Sequence, residues 1–168
     1  MRNQTHNSYK DDDVRAALRA CSEHFIFAFG LDDADSFEAY LQSLDDRRHG
    51  RNLKPDWVPE TFLLADVAGV VVGRISIRHE LNDHLRSNGG HIGYGVLPEH
   101  RRRGYAGEIL RHGLAVARDL GLARVLLTCD EENTASRIVI ERHGGTYAGA
   151  TPATPEASAR RRYWIRLA

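Results

Sequence analysis

The sequence predicts an α/β fold: a mixed, twisted, mostly antiparallel sheet flanked by helices. Three observations carry that expectation. Apolar and polar residues alternate through Val70–His79 and His91–Leu97, the period of a half-buried strand. Tyr105, Ile109, Leu110, Gly113, Leu114 and Ala117 recur at the spacing of one helix face. Strand-like and helix-like segments then alternate to the C-terminus, an order that requires a sheet with helices packed on it. At 168 residues the chain is expected to form a single domain over 1–168. Folding at this size removes roughly 68–70% of the unfolded surface from water, enough for a core without disulfide staples.

Taken in order, residues 1–12 form a polar leader, and Asp13 can cap a helix carrying Val14, Ala17, Leu18 and Cys21 on one face. Phe25, Phe27 and Phe29 read as core aromatics. Asp35 and Glu38 have capping-box spacing ahead of Phe37, Tyr40, Leu41 and Leu44, which predicts a helix from about Ser36 to Arg47. Phe62–Val67, a turn at Ala68-Gly69 and Val70–His79 predict an antiparallel hairpin. A polar connection through Ser87-Asn88-Gly89-Gly90 leads to the strand that ends before Pro98. The helix from Gly104 to about Leu120 stops at Gly121, and Val125-Leu126-Leu127 suits a buried central strand. A shorter helix with Ala135, Ile138 and Val139 ends at Gly144-Gly145. Ala148–Arg162, rich in Ala, Thr and Pro, reads as a mobile loop before a closing strand with Tyr163, Ile165 and Leu167.

Composition limits the function classes. With 23 Lys+Arg against 23 Asp+Glu the net charge is zero, so a strongly basic nucleic-acid binder is not expected. The basic residues are almost all arginines, Lys10 and Lys54 being the lysines, which favours forked contacts to any bound anion. No stretch approaches the roughly 20 apolar residues of a membrane span. The polar start lacks the apolar centre of a secretory signal, and Cys21 and Cys129 form no spaced motif, so a reducing cytoplasm is the expected setting. The histidines show no metal-ligand spacing, and no metal is expected.

The informative stretch is His91-Ile-Gly-Tyr-Gly-Val-Leu-Pro-Glu-His-Arg-Arg-Arg-Gly-Tyr-Ala-Gly-Glu-Ile-Leu110, which joins a strand to a helix. Free N–H groups in a first helical turn attract an anion, and Gly104, Ala106 and Gly107 would let a diphosphate approach the backbone. Arg101, Arg102 and Arg103 add charge there, although a solvated basic turn would look the same. The stretch is neither a G-x-x-x-x-G-K-[ST] phosphate loop nor a G-x-G-x-x-G fingerprint. Arg101-x-x-Gly104-x-Ala106 does match the [QR]-x-x-G-x-[GA] signature and resembles the GNAT superfamily of N-acetyltransferases. Asn133-Thr-Ala-Ser136 leading to Glu141-Arg142-His143-Gly144 is similar to that superfamily's second conserved helix. Within the superfamily, Arg74–Asn82, Gly89–Tyr94 and Thr128–Asp130 look like a bacterial group described only as predicted acetyltransferases.

The resemblance implies acetyl-CoA as cosubstrate, bound where two strands splay apart. Val96 and Leu97 would pair with the pantetheine arm, Arg101, Arg102, Arg103, Gly104, Tyr105, Ala106 and Gly107 would wrap the pyrophosphate, and Asn133 and Ser136 would face the cofactor. Asn133 also has the chemistry of a helix cap. The implied reaction is attack of a neutral amine on the thioester through a tetrahedral oxyanion, held by a backbone N–H near Val96 or Leu97. One preorganised donor of that kind lowers a barrier by roughly 2.7–4 kcal/mol. A base must take the amine's proton. Glu80 and His91 are the candidates, with His79 and Tyr94 weaker; hydrogen bonding within the sheet and solvation in a turn are the structural alternatives for His91 and Glu80.

Many superfamily members carry Tyr in the second helix where this sequence has Ile140, which cannot protonate the leaving thiolate. Tyr94, Tyr147 or water would then serve, or the thiolate would leave unassisted. Cys129 reads as a buried structural thiol and Arg160–Arg162 as a solvated face. The expected partner is a small-molecule or peptide amine, with no nucleic acid and no membrane, and homodimerisation through an edge strand is open to this fold. Asp32, Asp33, Asp45 and Asp46 would suit a cationic amine. The rival readings are a catalytically silent CoA-binding or sensing module, an arginine-rich nucleic-acid adaptor, and transfer of a longer acyl group such as succinyl.

Overall fold

A computed structural model of the protein describes residues 30–153 and 158–167. The predicted helix over Val14–Cys21 and the aromatics Phe25, Phe27 and Phe29 lie outside the described residues. Helix α1, Phe37–Arg48, begins one residue later than the Asp35 capping box predicts. Ser36 is its cap, with extended backbone and a hydroxyl that accepts from the Ala39 N–H at 3.1 Å.

Strands β1, Glu60–Val67, and β2, Val70–Arg78, form the expected hairpin. Its turn places both Ala68 (φ 53°) and Gly69 (φ 84°) at positive φ, the twist that suits a two-residue hairpin. A π-helical turn, Leu85–Gly89, precedes β3, Ile92–Val96. A 3-10 turn at Pro98–His100 then leads into α2, Tyr105–Asp119. The remaining elements are β4, Arg124–Asp130; α3, Thr134–Arg142; β5, Thr146–Thr151; and β6, Arg160–Arg166.

The six strands form one sheet in the order β1-β2-β3-β4-β6-β5, antiparallel throughout except between β3 and β4. Two ends of the predicted Ala148–Arg162 loop are therefore strand. Residues 148–151 belong to β5 and residues 160–162 to β6, because pairing between these two strands satisfies backbone groups whatever the composition.

The sheet carries a core on each face. On one, Ile75, Ile77, Ile92, Ile109, Leu110, Leu127 and Ile140 pack together under α2 and α3. On the other, Tyr40 and Leu44 of α1 meet Phe62, Val71 and Leu97. Helix α2 sits close to β2 because Gly113 faces it: a Cβ there would collide with Ile75 Cδ1, and one on Gly73 would come within 2.7 Å of Ile109 Cδ1. This close seat fixes the N-terminus of α2 beside the end of β3.

Candidate active site

The parallel pair β3–β4 is registered at a single position, Ile92 opposite Leu127. Upstream, the chain is pinned to β4 by His91, whose N–H donates to the Leu126 carbonyl (2.7 Å), and by the close approach of Gly90 to the same carbonyl, where a side chain would not fit. Beyond Ile92 the strands take separate partners: Tyr94, Gly95 and Val96 pair with β2, while Thr128, Cys129 and Asp130 pair with β6. The sheet splits.

The β2–β3 register decides which main-chain groups enter the split. Arg78 N–H donates to the His91 carbonyl and Leu97 N–H donates to the Val72 carbonyl (3.0 Å), so the His91 carbonyl and residues 93, 95 and 97 bond toward β2. The alternate residues Ile92, Tyr94 and Val96 therefore aim their N–H and C=O groups toward β4. Val96 and Tyr94 lie where a pantetheine arm could pair with them. Leu97, expected in that role, does not. It is buried, its N–H is held by Val72 and its carbonyl accepts from His100 (2.9 Å), because the chain turns there into the 3-10 segment.

At the mouth of the split stands the N-terminus of α2. Gly104 is its N-cap, in the left-handed region at φ 82°, with no side-chain hydrogen bond to the first-turn N–H groups and nothing within 4 Å of where a Cβ would stand. Arg101, Arg102 and Arg103 are exposed around it, and Arg101 Nε donates to the Val96 carbonyl at 3.2 Å. Uncapped amides, a dipole and three guanidinium groups meet there, a setting that attracts a phosphate. His143, from the Glu141–Gly144 stretch, lies beside them. Its Nδ1 donates to the Val139 carbonyl (2.7 Å), and its ring edge comes within 3.4 Å of a Cβ built on Gly107.

Behind the split lies a cavity of about 800 Å³, lined from Arg47 and Trp57, across Glu60, Arg74 and Arg78, to Tyr94, Cys129 and Ser136. Tyr94 and Ser136 close its floor, with their hydroxyls 2.9 Å apart. Burial, partly offset by the Ser136 bond, pushes the Tyr94 hydroxyl up to about 12, so it keeps its proton at neutral pH. Asn133 caps α3 by accepting from the Ser136 N–H (3.0 Å) and also lines the cavity. Cys129 is buried, and burial raises its thiol, which makes it a poor nucleophile.

Two sequence candidates for the base are not brought to this cavity. His91 is 7% exposed, its Nδ1 accepts from the Leu126 N–H (2.9 Å), and its ring packs against Trp164. Burial, with Arg86, Arg78 and Arg124 nearby, holds it down to about 4, so it is a neutral structural residue. Glu80 is exposed at the end of the hairpin and does not line the cavity. His79 faces Thr61, with its Nε2 2.9 Å from the hydroxyl oxygen. Tyr147 lies on edge strand β5, its ring edge-to-face with that of Tyr163.

The carboxylates that line the cavity are Asp56, Glu60 and Asp130, and of these Glu60 stands 3.4 Å from Arg78 Nε. No local motif marks it; only the β1–β2 register, Glu60 opposite Arg78, brings it in. Asp32, Asp33, Asp45 and Asp46, expected to favour a cationic amine, are outside the lining; Asp45 and Asp46 pair with Arg51. Arg160, read as solvated, instead lines the cavity and pairs with Asp130 (3.4 Å). Among the described residues there is no metal-holding group of three or more His, Cys, Asp or Glu, and no helix is long and apolar enough to cross a membrane.

A split parallel pair opening beside an uncapped, arginine-flanked helix N-terminus defines the class of acyl-CoA-dependent transferases. The profile of the acetyltransferase (GNAT) family matches residues 15–145, and the chain belongs to that family, whose cosubstrate is acetyl-CoA. A mycothiol acetyltransferase of Thermobispora bispora is 36% identical over 119 residues, 67% of this chain and 39% of that protein, so the chain spans about two fifths of that relative's length. The fold resembles yncA of Salmonella typhimurium, solved with its cofactor acetyl-CoA, at TM-score 0.65 and 17% identity over 95% of this chain and 91% of that one. It also resembles RimJ of Mycobacterium smegmatis in complex with a CoA disulfide, at TM-score 0.59 and 25% identity over 78% and 61% of the two chains.

Proposed function

We propose that the protein transfers an acetyl group from acetyl-CoA to a primary amine of a small molecule or peptide, by direct attack in a ternary complex. The observation that carries this reading is the split after Ile92–Leu127, with the Tyr94 and Val96 main-chain groups turned into it. The residues fit the coenzyme. The open space over Gly104 admits a diphosphate, Arg101–Arg103 match its charge, and Asn133 and Ser136 stand on the far side of the split.

When bound, acetyl-CoA supplies the activated acetyl group. Around it, the N–H of Tyr94 or Val96 is the oxyanion donor in place of Leu97, whose N–H is spent. Glu60 takes the amine's proton in place of Glu80 and His91. Tyr94, kept protonated by burial, is the proton donor for the departing thiolate, a task that Ile140, with a hydrocarbon side chain, cannot perform.

Calorimetric titration with acetyl-CoA and with CoA, joined to thiol release across an amine panel, tests the proposal. Saturable heat and amine-dependent thiol release are expected; absence of heat with both coenzymes refutes it. The buried Ile140 favours a second reading, a silent CoA-binding module, which would show the heat without thiol release from any amine.

A further inference from the structure

The floor of the cavity joins two parts of the molecule that the split keeps apart. Tyr94 stands on β3, and Ser136 in the first turn of α3, the helix that follows β4. Their hydroxyl oxygens are 2.9 Å apart. Local bonding leaves the Ser136 side chain for this contact. The third residue of a helix often reaches back to the N–H of the cap, but here the Asn133 N–H already donates to the Asp130 carbonyl (3.0 Å). Asn133 Oδ1 in turn takes the Ser136 N–H (3.0 Å). With the cap and the first turn both satisfied, the hydroxyl reaches across to β3. Ile140, one turn further along α3, offers only hydrocarbon.

Either oxygen of such a pair can donate, and the choice decides what Tyr94 can do. If Tyr94 donated to Ser136, its proton would be engaged within the pair. If Ser136 donates, the Tyr94 O–H is left to aim at a third atom, and the phenol oxygen has a donor in place when negative charge builds on it. The second arrangement also meets an energetic difficulty. Burial pushes the phenol up to about 12, whereas an ordinary thiol lies near 8.5, so passing the proton to a thiolate is uphill. Against that burial, the Ser136 bond holds the phenol lower than it would otherwise stand. Hydrogen bonds to a charged oxygen are also shorter and stronger than neutral ones. The titratable group that faces Tyr94 from β4 is Cys129, whose thiol, raised by burial, stays protonated at neutral pH.

We infer that Ser136 is a positioning residue for Tyr94: its hydroxyl donates to the Tyr94 oxygen, aims the Tyr94 O–H into the split and steadies the charge left on that oxygen. The inference rests on the acetyltransferase reading for its reaction. As the carbon–sulfur bond breaks and its electron pair goes to sulfur, Tyr94 passes its proton to that sulfur. Ser136 then holds the phenolate until solvent returns a proton, while Glu60 releases to solvent the proton taken from the amine. Protons balance over the cycle.

Ser136→Ala removes the donor and keeps the Asn133 cap, which uses only the Ser136 backbone; Ser136→Thr restores a hydroxyl. With 3-fluorotyrosine in place of Tyr94, a fluorine NMR titration without coenzyme reads the ionisation midpoint of that phenol. The midpoint is expected to rise by about one pH unit or more in Ser136→Ala and to return in Ser136→Thr. An unchanged or lowered midpoint means that Ser136 gives the phenolate no support, and overturns the inference. In parallel, pre-steady-state thiol release at saturating acetyl-CoA is expected to slow about ten- to hundredfold in Ser136→Ala. It should recover in Ser136→Thr and show no further loss when Ser136→Ala is added to Tyr94→Phe. An unchanged rate, or equal losses with and without the Tyr94 hydroxyl, overturns the inference and leaves the acetyltransferase reading standing. A raised midpoint with no thiol release from any amine keeps the Ser136–Tyr94 pairing and removes the acetyltransferase reading alone.

Discussion

Tyr94 and His91 show how burial sets the protonation of a side chain. Positioned acid–base groups contribute typically about 10²–10⁴-fold to a rate. Tyr94→Phe is therefore expected to lower kcat about 100-fold while leaving the acetyl-CoA dissociation constant within about twofold, as single-turnover kinetics and calorimetry would show. Because the Tyr94 hydroxyl is pushed up to about 12, any alkaline fall in kcat below pH 10 belongs to another group. His91 makes a prediction about stability. Its folded value of about 4 lies below the unfolded 6.5, so both states are neutral above pH 6.5. Between about pH 6.5 and 4 the unfolded chain takes up a proton that the fold refuses, and stability falls as pH falls. His91→Asn, which keeps an acceptor for the Leu126 N–H, should flatten the melting-temperature profile in that window. An unchanged slope would remove His91 as its source.

At the scale of elements, the seat of α2 on β2 is the feature most sensitive to one atom. Gly113→Ala drives a methyl into Ile75, and overpacking of this kind costs about 1–3 kcal/mol, measurable by denaturant unfolding. Because the same seat sets the N-terminus of α2 against the end of β3, the variant should also weaken coenzyme binding although Gly113 lies well along the helix. Ser36→Ala removes the α1 cap and should cost about 1 kcal/mol with no such effect on binding. The helices and the hairpin were legible because caps, turns and periodicity are local signals. Strand β5 was not: Thr146–Thr151 contains Gly149 at φ 95° and a register shift between Tyr147 and Ala150, which blur alternation, and its identity comes from pairing with β6.

For the molecule as a whole, the split in the sheet makes coenzyme binding and folding one equilibrium. A ligand bound only by the native state at 100 times its dissociation constant stabilises it by about 2.7 kcal/mol. Saturating acetyl-CoA should therefore raise the melting temperature. Replacing Arg101, Arg102 and Arg103 together by Gln should reduce coenzyme affinity about tenfold or more at low salt, with a smaller reduction as salt screens exposed charges. Equal loss at all salt concentrations would mean that the arginines act by shape rather than by charge.

The sequence by itself determined the element order, the strand-to-helix junction with its three arginines and free amides, and the family resemblance, because each is written in residues close together along the chain. Of the candidate site, that coenzyme side and Tyr94 were legible. Tertiary structure decided the rest: that His91 is spent on Leu126 and Leu97 on Val72, that Glu60 rather than Glu80 reaches the cavity, and that Arg160 lines it. The physical reason is register. Which backbone amide is free and which charges meet across a sheet depend on pairing between strands distant in sequence, and no local spacing encodes it.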